Sequence, residues 1–246
     1  SWKDAIKAIE GKKVKIDFIL ISGKYSFNKK ILKACLQLNK KILIEKPIFG
    51  ESKSFNFLKK YKKKIFVGYN RTKFDNVIYL KNKLKGQKKL NCIVKIPEKN
   101  KKYFFLNSCH MISIIKYLFG NIKIIFKSSN CIIASSRSAL INILINFSNS
   151  DNFSIEVFHG KMRYLLSPIE NLKIYNKTES KKIGINRVYI PKVYKVKNEN
   201  LKSKLKPGFH RQTKDFKKFL KTGKIQNENS IDFAKEIISF SERIFT

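Results

Sequence analysis

The chain has 246 residues, 43% of them hydrophobic, which is enough for one large core or two modest domains. It contains no run of about 18 apolar residues, so no membrane span is expected. The net charge of +37 invites an anionic partner. Lysine, however, far outnumbers arginine and is spread over the whole length, beside abundant Ile, Asn, Phe and Tyr. A drift toward A/T-rich codons explains that set together. Specific nucleic-acid binders favour clustered charge and bidentate arginine, so only salt-dependent, nonspecific adhesion is expected. Cys35, Cys92, Cys109 and Cys131 form no CxxC, and His110, His159 and His210 complete no zinc spacing around them. Reduced thiols in a cytoplasmic protein, with no metal, are the expectation.

In chain order, residues 16–21 read as a buried strand. Residues 26–38 place Phe27, Ile31, Leu32, Cys35, Leu36 and Leu38 at helical spacing. Residues 42–44 are a second strand, 52–61 a helix with Phe55 and Leu58 inward, and 65–69 a third strand. This β-α-β-α-β alternation predicts parallel strands with right-handed crossovers. The pattern then changes. A helix over 77–84 and a strand over 91–96 precede an amphipathic helix over 109–119, closed by Gly120. Apolar β-rich runs follow at 122–126, 140–147, 153–158, 162–166 and 172–175, which predicts a largely antiparallel sheet. Residues 178–207 read as polar and lysine-rich, with one extended piece near 188–194. Two helices close the chain, over 209–221 and 230–244. Ser230 is the N-cap of the second, with Asn229 competing for the position.

The expected fold class is α/β. A partial, doubly wound parallel domain lacking its first strands spans 1–70. An α+β domain with a large, mostly antiparallel open sheet spans 71–246, and its helices over 209–246 are able to pack back on the first part. The carboxyl ends of the three parallel strands carry Ser22 and Gly23, then Glu45, Lys46 and Pro47, then Asn70 and Arg71. Ligands of open α/β sheets bind at such ends. Pro47 restricts Lys46 to extended backbone angles and so directs a long, flexible side chain.

The Glu45-Lys46-Pro47 tripeptide does not stand alone. With IDFILIS (16–22), LKACLQLNKKILIEKPIFGES (32–52), VGYNRTKFDNVIYLKNKLKG (67–86), NSCHMISIIKYLFG (107–120), FHRQTKDFKKFLKTGK (209–224) and NSIDFAKEIISFSERI (229–244), it resembles the ordered blocks of the Gfo/Idh/MocA (glucose-fructose oxidoreductase / inositol dehydrogenase / MocA-like) oxidoreductases. The resemblance implies a Rossmann domain and hydride transfer between NAD or NADP and a sugar, polyol or nucleotide-sugar carbon. It implies catalytic roles for Lys46, which stabilises a developing alkoxide or relays its proton, and for His110, an acid/base near neutral pH. It places cofactor contacts at Ser22, Glu45, Lys46, Pro47 and Asn70, and substrate contacts at Arg71, Asn107 and Ser113. It also implies a small sugar-like substrate and a homo-oligomer packed through the open sheet.

The sequence departs from that pattern in three ways. Ser113 stands where an Asp usually follows the histidine. Gly23 and Asn28 replace a proline and a histidine in the loop after the first strand. No two of the ten glycines form a GxG, so the strand-to-helix phosphate cradle is not among these residues. Reading the three strands as the fourth to sixth of a 3-2-1-4-5-6 sheet, the chain is expected to be an N-terminally incomplete piece lacking roughly 50–70 residues. The alternatives are a partner that supplies the missing strands, or a decayed gene product. For function, the second reading is a catalytically inactive relative acting as a binding or scaffold subunit. A basic nucleic-acid-binding protein is the third reading.

Overall fold

The computed structural model describes residues 1–11, 14–147 and 151–245. The chain divides into two compact units. One comprises Ser1–Lys73, Phe105–Ser113 and Gly208–Thr246, the other Phe74–Phe104 and Ile114–Pro207.

The first unit opens with α1 (Trp2–Glu10), started by a capping box between Ser1 and Asp4. Strand β1 (Phe18–Ile21), α2 (Tyr25–Gln37), β2 (Lys41–Glu45) and β3 (Ile65–Gly68) follow. The strands lie in the order β1-β2-β3, all parallel, as the alternation predicts. Ile21, Ile44 and Val67 stand side by side, so the three carboxyl ends form one row. Ile42, Leu43 and Ile44 of the central strand are buried, whereas Phe18 and Leu20 on β1 are exposed. The stretch expected as an α-helix over 52–61 is a 3-10 helix, Ser52–Lys64. Its buried side chains, Phe55 and Leu58, lie three apart, a spacing that stacks on one side of a helix with three residues per turn.

Helices α6 (Phe209–Thr222) and α7 (Ile231–Phe245) complete this unit. Phe216 and Phe219 of α6 join Leu43 and Phe66 in one buried cluster. The Ser230 hydroxyl accepts from the Phe233 N–H at 3.1 Å and caps α7. Asn229 instead donates its side-chain amide to the Val67 carbonyl at 2.8 Å, which settles the competition between them.

The second unit contains α3 (Asp75–Leu84) and an eight-stranded sheet. Its strands are β4 (Leu90–Pro97), β5 (Lys123–Lys127), β6 (Cys131–Ser135), β7 (Ala139–Asn146), β8 (Ser154–His159), β9 (Met162–Leu166), β10 (Asn171–Ile183) and β11 (Asn186–Asn198). They lie in the order β11-β10-β9-β8-β4-β7-β6-β5. Every pair is antiparallel except β4 with β7, which are parallel. One face is apolar and buried, with Cys92, Val94, Ile141, Ile143 and Val157. The other leaves Phe126, Leu140, Leu144, Val193 and Val196 exposed. Two features differ from the expectation: β6 was not foreseen, and the polar stretch after 178 is a long β10–β11 hairpin. Lysines on both faces of that hairpin erase the period-2 alternation that marks a half-buried strand.

Between these pieces of chain, the short α4 (Lys101–Tyr103) runs into a π-helical turn, Phe104–Ser108, and then into α5 (Cys109–Phe119). Such turns recur at functional sites. Among the described residues no helix is long and apolar enough to cross a membrane.

Candidate active site

Glu45, Lys46 and Pro47 leave the sheet at the end of the central strand, and three distant parts of the chain fix them there. Asn28 of α2, fully buried, donates its side-chain amide to the carbonyls of Pro47 (3.4 Å) and Ile48 (3.0 Å) and pins the turn. The Lys46 ammonium donates to the Leu106 carbonyl at 3.0 Å, inside the π-helical turn. The Gln212 amide of α6 donates to Glu45 Oε1 at 3.1 Å.

Gly68, paired in register with Glu45 on the neighbouring strand, makes room for this arrangement. A Cβ at position 68 would sit 2.6 Å from Glu45 Oε1 and 3.0 Å from the Gln212 nitrogen, closer than side-chain atoms approach. Burial raises the pKa of Glu45. The Gln212 hydrogen bond and the adjacent Lys46 work against that rise.

At the start of α5, His110 is buried. Burial, followed by the positive charges of Lys46 and Arg71, holds its imidazole well below the usual histidine range. It is therefore neutral at neutral pH rather than half-titrated, and in that form a ring nitrogen is able to accept a proton. Its Nδ1 is buried with no hydrogen-bond partner among the described residues. Tyr69, just past the end of β3, is in the same condition: its ring is completely buried and its hydroxyl has no partner among the described residues. Burial, with Cys109 second, pushes that phenol well above its ordinary value. The Cys109 thiol donates to the Leu106 carbonyl at 3.4 Å, and burial keeps it protonated and inert.

The pKa of His110 has a consequence for stability. An unfolded chain takes up a proton on this histidine near pH 6.5, whereas the folded chain refuses it until well below that. Folding then binds fewer protons, so the contribution of His110 is fully present above pH 6.5 and is lost as pH falls toward the folded-state pKa. His110→Gln is expected to flatten the decline of unfolding free energy below pH 6.5 by roughly 1 kcal/mol per pH unit. Urea titrations at a series of pH values check this. Parallel curves for the two proteins would show that the imidazole titrates normally.

The sequence-derived site residues divide into three groups. Lys46 acts electrostatically on both Glu45 and His110, and Arg71 acts on His110. Pro47 is buried in the turn, and Asn70 begins the short 3-10 turn Asn70–Lys73 that also carries Arg71. Ser22 and Asn107 are exposed, the former at the end of β1 and the latter in the π-helical turn. Ser113 is buried, and its hydroxyl donates to the His110 backbone carbonyl at 2.7 Å, one helical turn back, rather than to the imidazole. Sequence reasoning missed Gly68, Tyr69, the Leu106 carbonyl and Gln212. It noted Asn28 only as a departure. A glycine ending an otherwise fully apolar strand was the one signal in the chain that could have pointed to a close approach.

No family model and no curated protein matches the chain. Solved structures do. A dehydrogenase (MviM) from Clostridium difficile superposes with a TM-score of 0.70 at 15% identity, covering 100% of this chain and 81% of that one. UDP-N-acetylglucosamine 3-dehydrogenase GnnA from Acidithiobacillus ferrooxidans gives 0.68 at 12% identity over 99% and 80% of the two chains. A Gfo/Idh/MocA family oxidoreductase from Vibrio cholerae gives 0.66 at 12% over 100% and 81%. The fold of this chain is that of the Gfo/Idh/MocA-type dehydrogenases, as the resemblance of its sequence blocks implied.

Proposed function

We propose that the protein is an NAD(P)-dependent oxidoreductase acting on a CH–OH carbon of a sugar, polyol or nucleotide sugar. The observation that carries this reading is the cluster at the strand ends: an ammonium (Lys46) and a guanidinium (Arg71) whose charges act on a neutral, buried imidazole (His110). Two buried polar atoms there, His110 Nδ1 and Tyr69 Oη, have no partner among the described residues. A buried polar group left unpaired costs about 1–3 kcal/mol, so these atoms are available to a polar ligand or a water. The neighbours of like fold, among them a nucleotide-sugar dehydrogenase, support the same choice of chemistry.

The residues present fit the nicotinamide end of a dinucleotide, with Ser22, Glu45, Lys46, Pro47 and Asn70 at the strand ends to hold it. When bound, the nicotinamide accepts or donates the hydride. The chain's own residues handle the substrate hydroxyl. Lys46 stabilises the charge that develops on its oxygen, and His110, neutral and water-poor, receives its proton. Arg71 adds positive charge for an anionic substrate group, and Asn107 and Ser113 stand on the adjoining turn and helix. We also propose a homo-oligomer in which the open face of the eight-stranded sheet is covered by another copy. Its exposed apolar row needs such cover, and a monomeric mass by light scattering would exclude it.

Titrating the natural full-length product with NADH and with NADPH tests the function. Saturable enhancement of nicotinamide fluorescence by one of them is expected, and no response to either would end the dehydrogenase reading. That second outcome would favour a cofactor-less binding or scaffold subunit, for which the engaged hydroxyl of Ser113 already speaks.

A further inference from the structure

We propose that Gln212, on α6, the first of the two closing helices, is a positioning residue that sets the charge state of Glu45. This deepens, and rests on, the reading that the strand end at Glu45 and Lys46 is the chemical site. Gln212 is only 3% exposed, and it lies 167 residues along the chain from its partner. Its amide nitrogen points at Glu45 Oε1, and both groups lie directly over the bare Cα of Gly68. The glycine leaves a space that a carboxylate and an amide fill together, and any side chain there would separate them.

The chemistry of this contact has a direction. An amide N–H donates more strongly to a carboxylate than to the carbonyl of a neutral acid, so it favours the ionised form that burial opposes. The other side of the amide, Gln212 Oε1, is buried with no partner among the described residues. The residue thus forgoes one hydrogen bond in order to make the other. Glu45 is the carboxylate next to Lys46 along the chain, and both Lys46 and Gln212 favour its ionised form. With the amide in place, Lys46 works beside an anion. Without it, burial acts unopposed on that side and Glu45 takes up a proton more readily. In this way α6 reaches into a site whose other parts come from the strand ends and from α5.

The test is a carbon-13 NMR titration of the glutamate carboxyls in the full chain, with the Glu45 signal assigned by its loss in Glu45→Gln. In Gln212→Leu the Glu45 midpoint is expected to rise by about one pH unit, while the other glutamates stay put. A merely structural role for Gln212 would lower stability and leave the midpoint where it was, and that result overturns the proposal. If Gln212→Leu does not fold, Gln212→Asn answers the same question, because its shorter amide cannot span the 3.1 Å contact. A rise supports the assignment and an unchanged midpoint ends it. The titration needs neither cofactor nor substrate. Failure of the dehydrogenase reading, seen as normal turnover in a Lys46 variant or as no nicotinamide binding, is therefore scored separately.

Discussion

Replacing Lys46 by alanine in the full-length protein is expected to lower turnover by roughly a thousandfold, with a much smaller loss of nicotinamide binding, since Ser22, Glu45, Pro47 and Asn70 remain, and with folding close to normal. The size of the effect follows from where the ammonium sits. It is fixed at one end by the buried turn at Pro47, which Asn28 ties down. At the other end the Leu106 carbonyl holds it at 3.0 Å. A charge so directed acts on the oxygen of a reacting carbinol without first being reorganised, and oriented charge of that kind supplies several powers of ten in rate. The cost to folding is small by comparison. Lys46 is only partly buried, and the Leu106 carbonyl keeps the Cys109 thiol as a donor, so the loss is about 1 kcal/mol. Steady-state kinetics with the substrate class proposed here, together with a thermal melt, decide the matter. Wild-type turnover in Lys46→Ala would remove Lys46 from the chemistry. A collapsed melting transition would mean that it is a structural residue.

The parts of this molecule that sequence made legible are those in which neighbours in the chain are neighbours in space. The alternation of 16–69 predicts a parallel sheet because each short apolar run is followed by a run with a different period. Glu45, Lys46 and Pro47 stand at a strand end for the same local reason. The rest of the site is made by contacts between residues that are remote in sequence. Gln212 reaches Glu45 across 167 residues, and Lys46 meets a backbone carbonyl 60 residues on. That carbonyl belongs to a π-helical turn, which carries no side-chain signature of its own. His110 shows the same limit in another way. The residue was readable, but its protonation state was not, because that is set by burial and by the charges of Lys46 and Arg71, which only the fold brings together. In the second unit the missed length of the β10–β11 hairpin has a compositional cause: lysine occurs so often in this chain that it no longer separates an outward face from an inward one.

Lysine abundance also conceals one residue that behaves unlike the others. Lys73→Met is expected to destabilise the chain by about 3 kcal/mol, the second large effect. Lys73 is 4% exposed, and its ammonium lies 2.8 Å from Asp215 Oδ2 and 2.9 Å from Glu228 Oε1. It also donates to Gln226, whose own amide donates to Asp215 at 3.1 Å. The cluster joins the turn after β3 to α6 and to the turn before α7, all within the first unit. Removing the lysine leaves two carboxylates facing one another without their shared cation. Both retain some contact with solvent, at 22% and 16% side-chain exposure, which keeps the cost at the low end of the range of about 3–5 kcal/mol for breaking a buried pair. Methionine preserves the apolar stem, so the loss measured by urea unfolding reports the charge rather than a cavity. A second variant that also replaces Asp215 and Glu228 by leucine should recover most of that loss, because an apolar cluster of similar volume has no unpaired charge to solvate. If Lys73→Met cost less than about 1 kcal/mol, the two carboxylates would have found water, and the contact would rank with ordinary surface pairs. If instead the triple replacement stayed as unstable as the single one, the cluster would owe its strength to hydrogen-bond geometry around Gln226 rather than to its charge.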